Sequence, residues 1–259
     1  MLLRDKVVIV SGVGPGLGQE LAYGAGREGA RVVLAARTAA FLEEVRAKLE
    51  AAGTESLAVP TDITARDQCQ RLVQATLARF GRIDALINSA YTMGKLMLFE
   101  EADLERWQVP IKVNLFGSLQ LSQQVVAPMK AQGGGAVVMV GSITARKPMV
   151  NDTAYAASKA ALQAAARNLA LELGGYRIRV NTAMLGRMWG PNVEAQVARV
   201  ATSRGVPFDE VKREFAARMA LPEIPDDAEC AGAVLFLASD YARAITGATL
   251  DINGGEWMP

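Results

Sequence analysis

The stretch Ser11-Gly-Val-Gly-Pro-Gly-Leu-Gly18 decides the fold, because it lies between an apolar run and an amphipathic segment. Residues 6–10 are predicted to form a buried strand, and a helix is predicted from the end of this stretch to about Glu28. A glycine-rich turn between a strand and a helix places backbone N–H groups and the positive helix end where a phosphate can bind. Glycine also serves tight turns and close packing, so the flanking strand and helix carry the prediction of dinucleotide binding.

The alternation of strand and helix continues along the whole chain. Further strands are predicted at residues 31–36, 56–59, 85–88, 136–141, 178–183 and 249–252. Helices are predicted at 38–52, 65–80, 151–173 and 226–238, and residues 101–130 are predicted to be largely helical. Apolar strands separated by helices are typical of a parallel sheet covered on both faces. The sequence therefore predicts one α/β domain over residues 1–259, a doubly wound parallel sheet of the Rossmann type.

The composition excludes several classes of function. Lys and Arg total 28 against 27 for Asp and Glu, so no nucleic-acid or anionic-membrane partner is indicated. The absence of histidine excludes Ser-His-Asp and Cys-His catalysis and histidine-ligated metals. Two distant cysteines, no apolar signal core and no segment of membrane-spanning length favour a reduced, cytoplasmic setting. We expect no metal, nucleic-acid or membrane partner.

A second informative stretch is Tyr155-Ala-Ala-Ser-Lys159, in the predicted helix 151–173. Residues four apart lie on one helix face, and an ammonium beside a phenol favours the phenolate and lowers the tyrosine pKa. Such a tyrosine can exchange a proton with a substrate oxygen. The same spacing also arises freely on helices, with the tyrosine packed and the lysine solvated. The pair therefore needs support from the rest of the chain.

The end of the second predicted strand bears on the choice of cofactor. The strand ends with Ala36 and Arg37, neither of which is acidic. A carboxylate at this place would accept hydrogen bonds from the ribose hydroxyls of NAD. Arg37 beside a small residue suits the 2′-phosphate of NADP. The alternative is that Arg37 is a solvated residue that opens the next helix. The sequence favours NADP(H) and leaves NAD(H) open.

Taken together, the motifs resemble those of the short-chain dehydrogenase/reductase family in its shorter, single-domain form, over about residues 6–255. The glycine loop is similar to the family's TGxxxGxG, and Asn88-Ser-Ala-Tyr91 stands in for its NNAG. Further matches are Asp62, Asn114 with Gly117, Ser142, the Tyr155–Lys159 pair, Ile245-Thr-Gly247 and Asp251-Ile-Asn-Gly-Gly255. Their order along the whole chain makes the resemblance stronger than any one motif.

The resemblance implies a catalytic set of Asn114, Ser142, Tyr155 and Lys159. Tyr155 would protonate the carbonyl oxygen as hydride reaches the carbon, or deprotonate the alcohol in reverse. Ser142 would hydrogen-bond the same oxygen. Lys159 would lower the Tyr155 pKa and hold the nicotinamide ribose, and Asn114 would bind a water of a proton relay. Alternatively, Ser142 only caps the end of its strand, and Asn114 occupies an ordinary polar position in a helix.

The resemblance also implies a set of cofactor-binding residues. These are Ser11, Gly12, Gly16, Leu17, Gly18, Arg37, Asp62, Ile63, Asn88, Ser89, Ala90, Tyr155, Lys159, Gly186 and Met188. Asp62 would meet the adenine ring. The family's Pro-Gly after the sixth strand is replaced here by Met184-Leu-Gly-Arg-Met-Trp-Gly190, so backbone groups near Gly186 would contact the nicotinamide amide.

The substrate pocket is predicted from the residues that follow the strands. They are Tyr91, Met93, Ile143, Met149, Val150, Met184, Leu185, Met188 and Trp189. An insertion at about 186–225, with helix-like pieces at 193–203 and 208–219, is predicted to form a substrate lid, unless its Met and Trp side chains merely pack on the core. Only Arg146, Lys147 and Arg187 could contact a carboxylate. The largely apolar composition of this predicted pocket favours a bulky, uncharged, ring-containing alcohol or ketone as the substrate.

The sequence therefore predicts an NAD(P)-dependent oxidoreductase that interconverts a secondary alcohol and a ketone. An enoyl reductase of the same family is one alternative, although those enzymes separate the tyrosine and lysine more widely. A cofactor-binding regulator without turnover is another. The family resemblance and the long helices at 101–130 and 151–173, which could pack on copies of themselves, predict a homotetramer.

Overall fold

Seven strands form one parallel sheet, in the order β3-β2-β1-β4-β5-β6-β7, in the computed structural model, which describes residues 1–258. The strands are β1 (Val7–Ser11), β2 (Arg31–Ala36), β3 (Ser56–Pro60), β4 (Ala85–Asn88), β5 (Gly135–Ser142), β6 (Ile178–Leu185) and β7 (Thr249–Ile252). Successive side chains of a strand face opposite ways. Val8 and Val10 accordingly enter one apolar core and Val7 and Ile9 the other. The predicted doubly wound parallel sheet is confirmed.

Helices cover both faces of the sheet. They are α1 (Leu17–Arg27), α2 (Ala39–Ala51), α3 (Arg66–Phe80), α4 (Gln108–Pro110), α5 (Ser118–Ala131), α6 (Thr153–Gly174), α7 (Pro191–Arg204), α8 (Phe208–Ala216) and α9 (Asp227–Ala238). Leu21, Leu42 and Leu235 place α1, α2 and α9 in one core. Leu72 and Leu162 place α3 and α6 in the other. None of these helices, all within the described part of the chain, is long and apolar enough to cross a membrane.

The segment predicted to be largely helical over 101–130 is helical but not regular. Short 3-10 turns at Phe99–Glu101 and Leu104–Trp107 precede α4, and Ile111–Gly117 is π-helical before α5 begins. Pro110 has no N–H group with which to continue an α-helical ladder. Stretches of π-helix inside α-helices are common at functional sites, and this one carries Asn114.

The insertion at 186–225 contains the two predicted helices, α7 and α8. Val197, Val211 and Phe215 form a small apolar core of its own. A capping box forms at the start of α9. Asp226 Oδ1 accepts from Glu229 N at 2.7 Å, and Glu229 Oε2 accepts from Asp226 N at 2.9 Å.

The sheet order positions a crevice at the carboxyl ends of the strands. The chain passes from β1 outward to β2 and β3, and then returns to the other side of β1 with β4. Ligands of open parallel sheets bind where the strand order reverses in this way. The loops after β1 and β4 meet at this point, since Ser89 N donates to Ser11 O at 2.9 Å.

Candidate active site

A cleft of about 1460 Å³ opens at the carboxyl ends of the strands. Its walls come from the loops after β1 to β6 and from the exposed length of α7. Pockets for a single drug-sized ligand measure roughly 300–1,000 Å³. The cleft is therefore large enough for a nucleotide and a second molecule.

The glycine loop forms one end of the cleft and comes too close to its neighbours to carry side chains. A Cβ on Gly12, whose φ is 90°, would lie 2.3 Å from Ala90 N. One on Gly18 would lie 2.2 Å from Gly12 O. No side chain caps the first turn of α1, and the buried Ser11 hydroxyl has no partner among the described residues. Open N–H groups at a helix start and a side-chain-free approach fit the phosphates of a dinucleotide.

Two polar side chains flank the neighbouring strand ends. Arg37 is exposed, lines the cleft and forms no ion pair within residues 1–258. Asp62 Oδ1 accepts hydrogen bonds of 2.8 Å from both Thr64 N and Thr64 Oγ1. Burial alone would raise the pKa of Asp62, but these bonds and the charges of Arg37 and Lys112 lower it on balance. A fixed carboxylate and a free guanidinium thus stand side by side.

Ser142, Tyr155 and Lys159 line the middle of the cleft together. Ser142 ends β5, Tyr155 lies in the first turn of α6, and Lys159 follows one turn later. Ser142 Oγ accepts from Thr144 N at 3.3 Å and from Thr144 Oγ1 at 3.1 Å. Both acceptor positions are used, so its own hydroxyl proton is left to donate toward the Tyr155 hydroxyl or toward a ligand oxygen beside it.

The expected effect of Lys159 on the Tyr155 pKa is absent from this structure. Burial raises the pKa of Tyr155 above its usual range, with the Ser142 hydroxyl acting in the opposite direction. Lys159 Nζ donates to Val140 O at 2.7 Å and lies 5.7 Å from the centroid of the Tyr155 ring. Lys159 is 2% exposed, and burial lowers its own pKa to about 7. The prediction considered only the lysine charge, whereas desolvation is the largest influence on the pKa of both groups.

Asn114 lies behind the cleft rather than in its wall. Its Nδ2 donates to Thr92 O and to Ser158 Oγ, each at 2.9 Å, and its Oδ1 accepts from Thr92 N at 2.8 Å. It therefore ties the loop after β4 to α6. One lone pair of Oδ1 is left for a water, and the relay role stays a prediction.

Asn88 is not placed where the resemblance predicted. It is buried in β4, where its Nδ2 donates to Ser122 Oγ at 2.9 Å and to Met139 Sδ at 3.4 Å. It supports the strand and does not line the cleft. The other predicted cofactor-binding residues do line it: Ser11, Gly12, Gly16, Leu17, Gly18, Arg37, Asp62, Ile63, Ser89, Ala90, Tyr155, Lys159, Gly186 and Met188.

Most of the predicted substrate wall is also in place. Tyr91, Met93, Ile143, Met149, Val150, Leu185 and Met188 line the cleft. The prediction is wrong for Trp189 and Met184. The Trp189 ring packs edge-on against Phe208 at 6.2 Å, and Lys212 Nζ lies 4.1 Å from its centroid. Met184 is fully buried within β6. Strand alternation turns Met184 away, and the α8 core takes up Trp189.

The cations expected near the substrate are already paired. Arg146 lies 3.3 Å from Asp251 and Lys147 3.4 Å from Glu256, and neither cation lines the cleft. Arg187 does line it, but its guanidinium pairs with the buried Glu256 carboxylate. The prediction that Arg146 and Lys147 could contact a substrate carboxylate is therefore wrong.

Several residues of the site carry no motif. Asp152 and Thr144 lie beside Tyr155 and Ser142, and Asn192 of α7 reaches across the cleft. Asn192 Nδ2 donates to Tyr91 Oη at 3.2 Å, and the Tyr91 ring stands edge-on to Tyr155 at 6.3 Å. The only signal for Asp152 was its place at the start of the predicted helix 151–173. No signal pointed to Asn192.

Comparisons with known proteins identify the family of this chain. A family model for short chain dehydrogenases matches residues 6–199. The chain is 32% identical to the L-rhamnose 1-dehydrogenase (NAD(P)(+)) of Azotobacter vinelandii, with 100% of this chain and 99% of that one covered. It is 31% identical to the levodione reductase of Leifsonia aquatica, with coverage of 97% and 94%. The crystal structure of L-sorbose reductase from Gluconobacter frateurii, complexed with NADPH and L-sorbose, superposes with a TM-score of 0.93 at 28% identity and coverage of 99% and 98%.

Proposed function

Because the chain belongs to the short-chain dehydrogenase family of oxidoreductases, we propose that it interconverts a secondary alcohol and a ketone with NAD(P)(H). The observation that carries the proposal is the meeting of Ser142, Tyr155 and Lys159 in one cleft with the glycine loop. The bound nicotinamide would supply or accept the hydride. The chain itself has to hold the substrate oxygen and move its proton.

In the proposed reaction, Tyr155 donates its phenolic proton to the carbonyl oxygen, or takes the proton of the alcohol in reverse. The free hydroxyl proton of Ser142 is donated to the same oxygen and keeps it beside the phenol. Burial raises the pKa of Tyr155, so the phenol carries its proton at neutral pH and has one to donate during reduction. In the oxidising direction the phenolate needs a positive charge nearby.

Lys159 is the proposed source of that positive charge. Its ammonium lies 5.7 Å from the Tyr155 ring centroid, and burial lowers its pKa to about 7. It therefore changes charge near neutral pH, and the charged form favours the phenolate. The same ammonium is proposed to bind the nicotinamide ribose hydroxyls.

We favour NADP(H) over NAD(H) because of Arg37. Its guanidinium is unpaired in the described chain and lines the cleft at the end of β2. A guanidinium binds a phosphate through paired, charge-assisted hydrogen bonds. The cleft places no carboxylate at the end of β2 to accept ribose hydroxyls, since this strand ends in Ala36 and is followed by Arg37.

The proposed substrate is a bulky, ring-containing and largely apolar alcohol or ketone. Ile143, Met149, Val150 and Leu185 form an apolar wall beside Ser142 and Tyr155. Methionine side chains adapt to irregular shapes. Each buried methylene adds about 0.8 kcal/mol, so affinity is expected to rise with ring size until the wall is covered.

A nicotinamide absorbance assay tests the proposal. NADPH and NADH are each offered with cyclic ketones of increasing size, a keto acid, a sugar and a conjugated enone. Reduction of the ketones, with kcat/KM rising with ring size, supports it. Reduction of the enone double bond alone points to the enoyl reductase. Cofactor binding without turnover of any carbonyl or alcohol points to a regulator.

A further inference from the structure

Asp152 is a buried carboxylate that forms no ion pair in the described part of the chain. It lies three residues before Tyr155, is 4% exposed and lines the same cleft. Neither carboxylate oxygen has a hydrogen-bond partner within residues 1–258. Although Asp152 precedes α6, its side chain does not cap that helix. Buried polar groups are nearly always hydrogen-bonded, and an unpaired one is costly.

The surroundings of Asp152 offer no counter-charge. Its charge acts on Tyr155, whose pKa it raises, so the two groups are close. Ile143, Met149 and Val150 on the same wall are apolar. The nearby Thr144 hydroxyl donates to Ser142 Oγ at 3.1 Å. No ion pair to Asp152 exists in the described part of the chain. Burial raises the pKa of Asp152, and the Thr144 side chain acts against this rise. Because the Thr144 hydroxyl donates to Ser142 Oγ, a hydroxyl of a bound molecule can supply the donor that the carboxylate lacks.

We propose that Asp152 accepts a hydrogen bond from a hydroxyl group on the carbon next to the reacting one, so that the preferred substrates are vicinal hydroxy ketones and diols. The inference rests on the function proposed above. Asp152 immediately precedes the first turn of α6, which carries Tyr155, and both side chains line the same cleft as Ser142. A ligand oxygen held at the Tyr155 phenol and a second one held at Asp152 can therefore belong to one small molecule.

The proposal adds one polar anchor to an otherwise apolar pocket. Such pockets fix the orientation of a ligand through a few polar groups. Burial raises the pKa of Asp152 to about 6, so above that pH it is an ionised group that only accepts hydrogen bonds. A hydrogen bond to a charged acceptor changes affinity by roughly ten- to a hundredfold. A site built to bind a hydroxyl also rejects the analogue that lacks it.

The test compares 2-hydroxycyclohexanone with cyclohexanone as substrates for wild type, Asp152→Ala and Asp152→Asn. The hydroxyl also changes the intrinsic reactivity of the ketone, so the decisive quantity is the ratio of the two kcat/KM values in each variant. This ratio is expected to fall roughly ten- to a hundredfold in Asp152→Ala, mainly through KM. Asp152→Asn keeps an acceptor oxygen and should retain part of the preference. The surface variant Asp67→Ala, which disrupts only an exposed ion pair with Arg71, should leave the ratio at its wild-type value.

Equilibrium binding separates failure of this inference from failure of the proposed function. The affinities of cyclohexane-1,2-diol and cyclohexanol are measured by calorimetry on the NADP-loaded protein and its variants. A diol preference that is lost in Asp152→Ala supports the inference, even if no ketone is reduced and the proposed function fails. Equal ratios in wild type and Asp152→Ala, in turnover or in binding, overturn it even where ketones are reduced.

Discussion

At the scale of single residues, the proposed preference for NADP(H) rests on Arg37. Its guanidinium has no partner in the described chain, so nothing has to be broken before a 2′-phosphate binds. Arg37→Ala should raise KM for NADPH about ten- to a hundredfold and change KM for NADH little. Steady-state kinetics with both cofactors measure this. The matched variant Arg71→Ala, on the outer surface of α3, should change neither value. Equal kcat/KM for the two cofactors in wild type, unaffected by the substitution, would reject the preference.

Asp152 makes stability depend on pH. Its pKa is raised to about 6 by burial, whereas an unfolded aspartate titrates near roughly 3.9. Between these two pKa values the folded chain keeps a proton on Asp152 that the unfolded chain has lost. The free-energy cost of burying the charged carboxylate is therefore fully present above the folded pKa. This cost disappears below the unfolded pKa. Asp152→Asn should therefore raise Tm at pH 8 and leave it unchanged at about pH 3.5.

Differential scanning fluorimetry across this pH range measures the effect. Asp67 is a control of opposite sign, because its hydrogen bond to Arg71 lowers its pKa. Asp67→Asn should not raise Tm at pH 8. An unchanged Tm for Asp152→Asn at pH 8 would mean that the carboxylate is not destabilising in the folded chain.

The sequence predicted the positions of residues better than their interactions. Ser142, Tyr155 and Lys159 lie in the cleft because helical spacing and strand order depend on the backbone alone. The Tyr155 pKa differs from expectation because burial acts on both Tyr155 and Lys159, and a single sequence does not reveal burial. Asp152 was missed for the same reason, since an aspartate before a helix is ordinarily a solvated cap.

At the scale of elements, the regular strands were the easiest to predict. The run Val7–Ser11 is apolar throughout because both faces of β1 are buried. The stretch 99–117 was harder, because Pro110 and the π-helical residues after it follow no simple hydrophobic period. Trp189 was misplaced because α8 supplies Phe208, a tertiary partner that periodicity does not reveal.

The helix α7 is the element that we expect to respond to ligands. It begins after Gly190, lines the cleft along Asn192, Val193 and Gln196, and contacts Tyr91 through a single hydrogen bond of 3.2 Å. Bound cofactor adds contacts to a helix whose own apolar core is small. The amide exchange rate of residues 191–204 should therefore fall when NADPH is added. At an NADPH concentration of 100 times Kd, the decrease should reach up to about a hundredfold.

Hydrogen-exchange mass spectrometry checks this prediction, with α3 as the internal control. No residue of α3 lines the cleft in the described chain, so its exchange should change less than that of α7. Equal protection of α3 and α7 would indicate global stabilisation and contradict a lid. No change in α7 at saturating NADPH would contradict it as well.

At the scale of the whole molecule, large apolar side chains are exposed on the helices that are predicted to pack on copies of themselves. Phe116 and Leu171 are 60% and 84% exposed, and they belong to the helical segments 111–117 and 153–174. We propose a homotetramer that buries these side chains, since closed symmetric assemblies are the rule for soluble oligomers. The expected mass by light scattering is about 110 kDa, four times 27.5 kDa.

Leu171→Glu should lower that mass, because a carboxylate is strongly disfavoured in an apolar interface. Tyr241→Glu is the matched control, being 75% exposed on a different turn, and should leave the mass unchanged. A mass near 27.5 kDa for the wild type at working concentration would exclude the tetramer.

Proton transfer by Tyr155 is the central claim, and the Tyr155→Phe variant tests it most directly. The substitution removes the hydroxyl and keeps the ring that packs against Tyr91. Single-turnover reduction of a cyclic ketone should slow by about 10²–10⁴-fold. NADPH affinity, measured on the same samples by fluorescence, should stay within a few-fold of wild type, and the surface variant Tyr241→Phe should behave as wild type in both assays. A Tyr155→Phe rate within a few-fold of wild type, with the cofactor bound, would contradict the account.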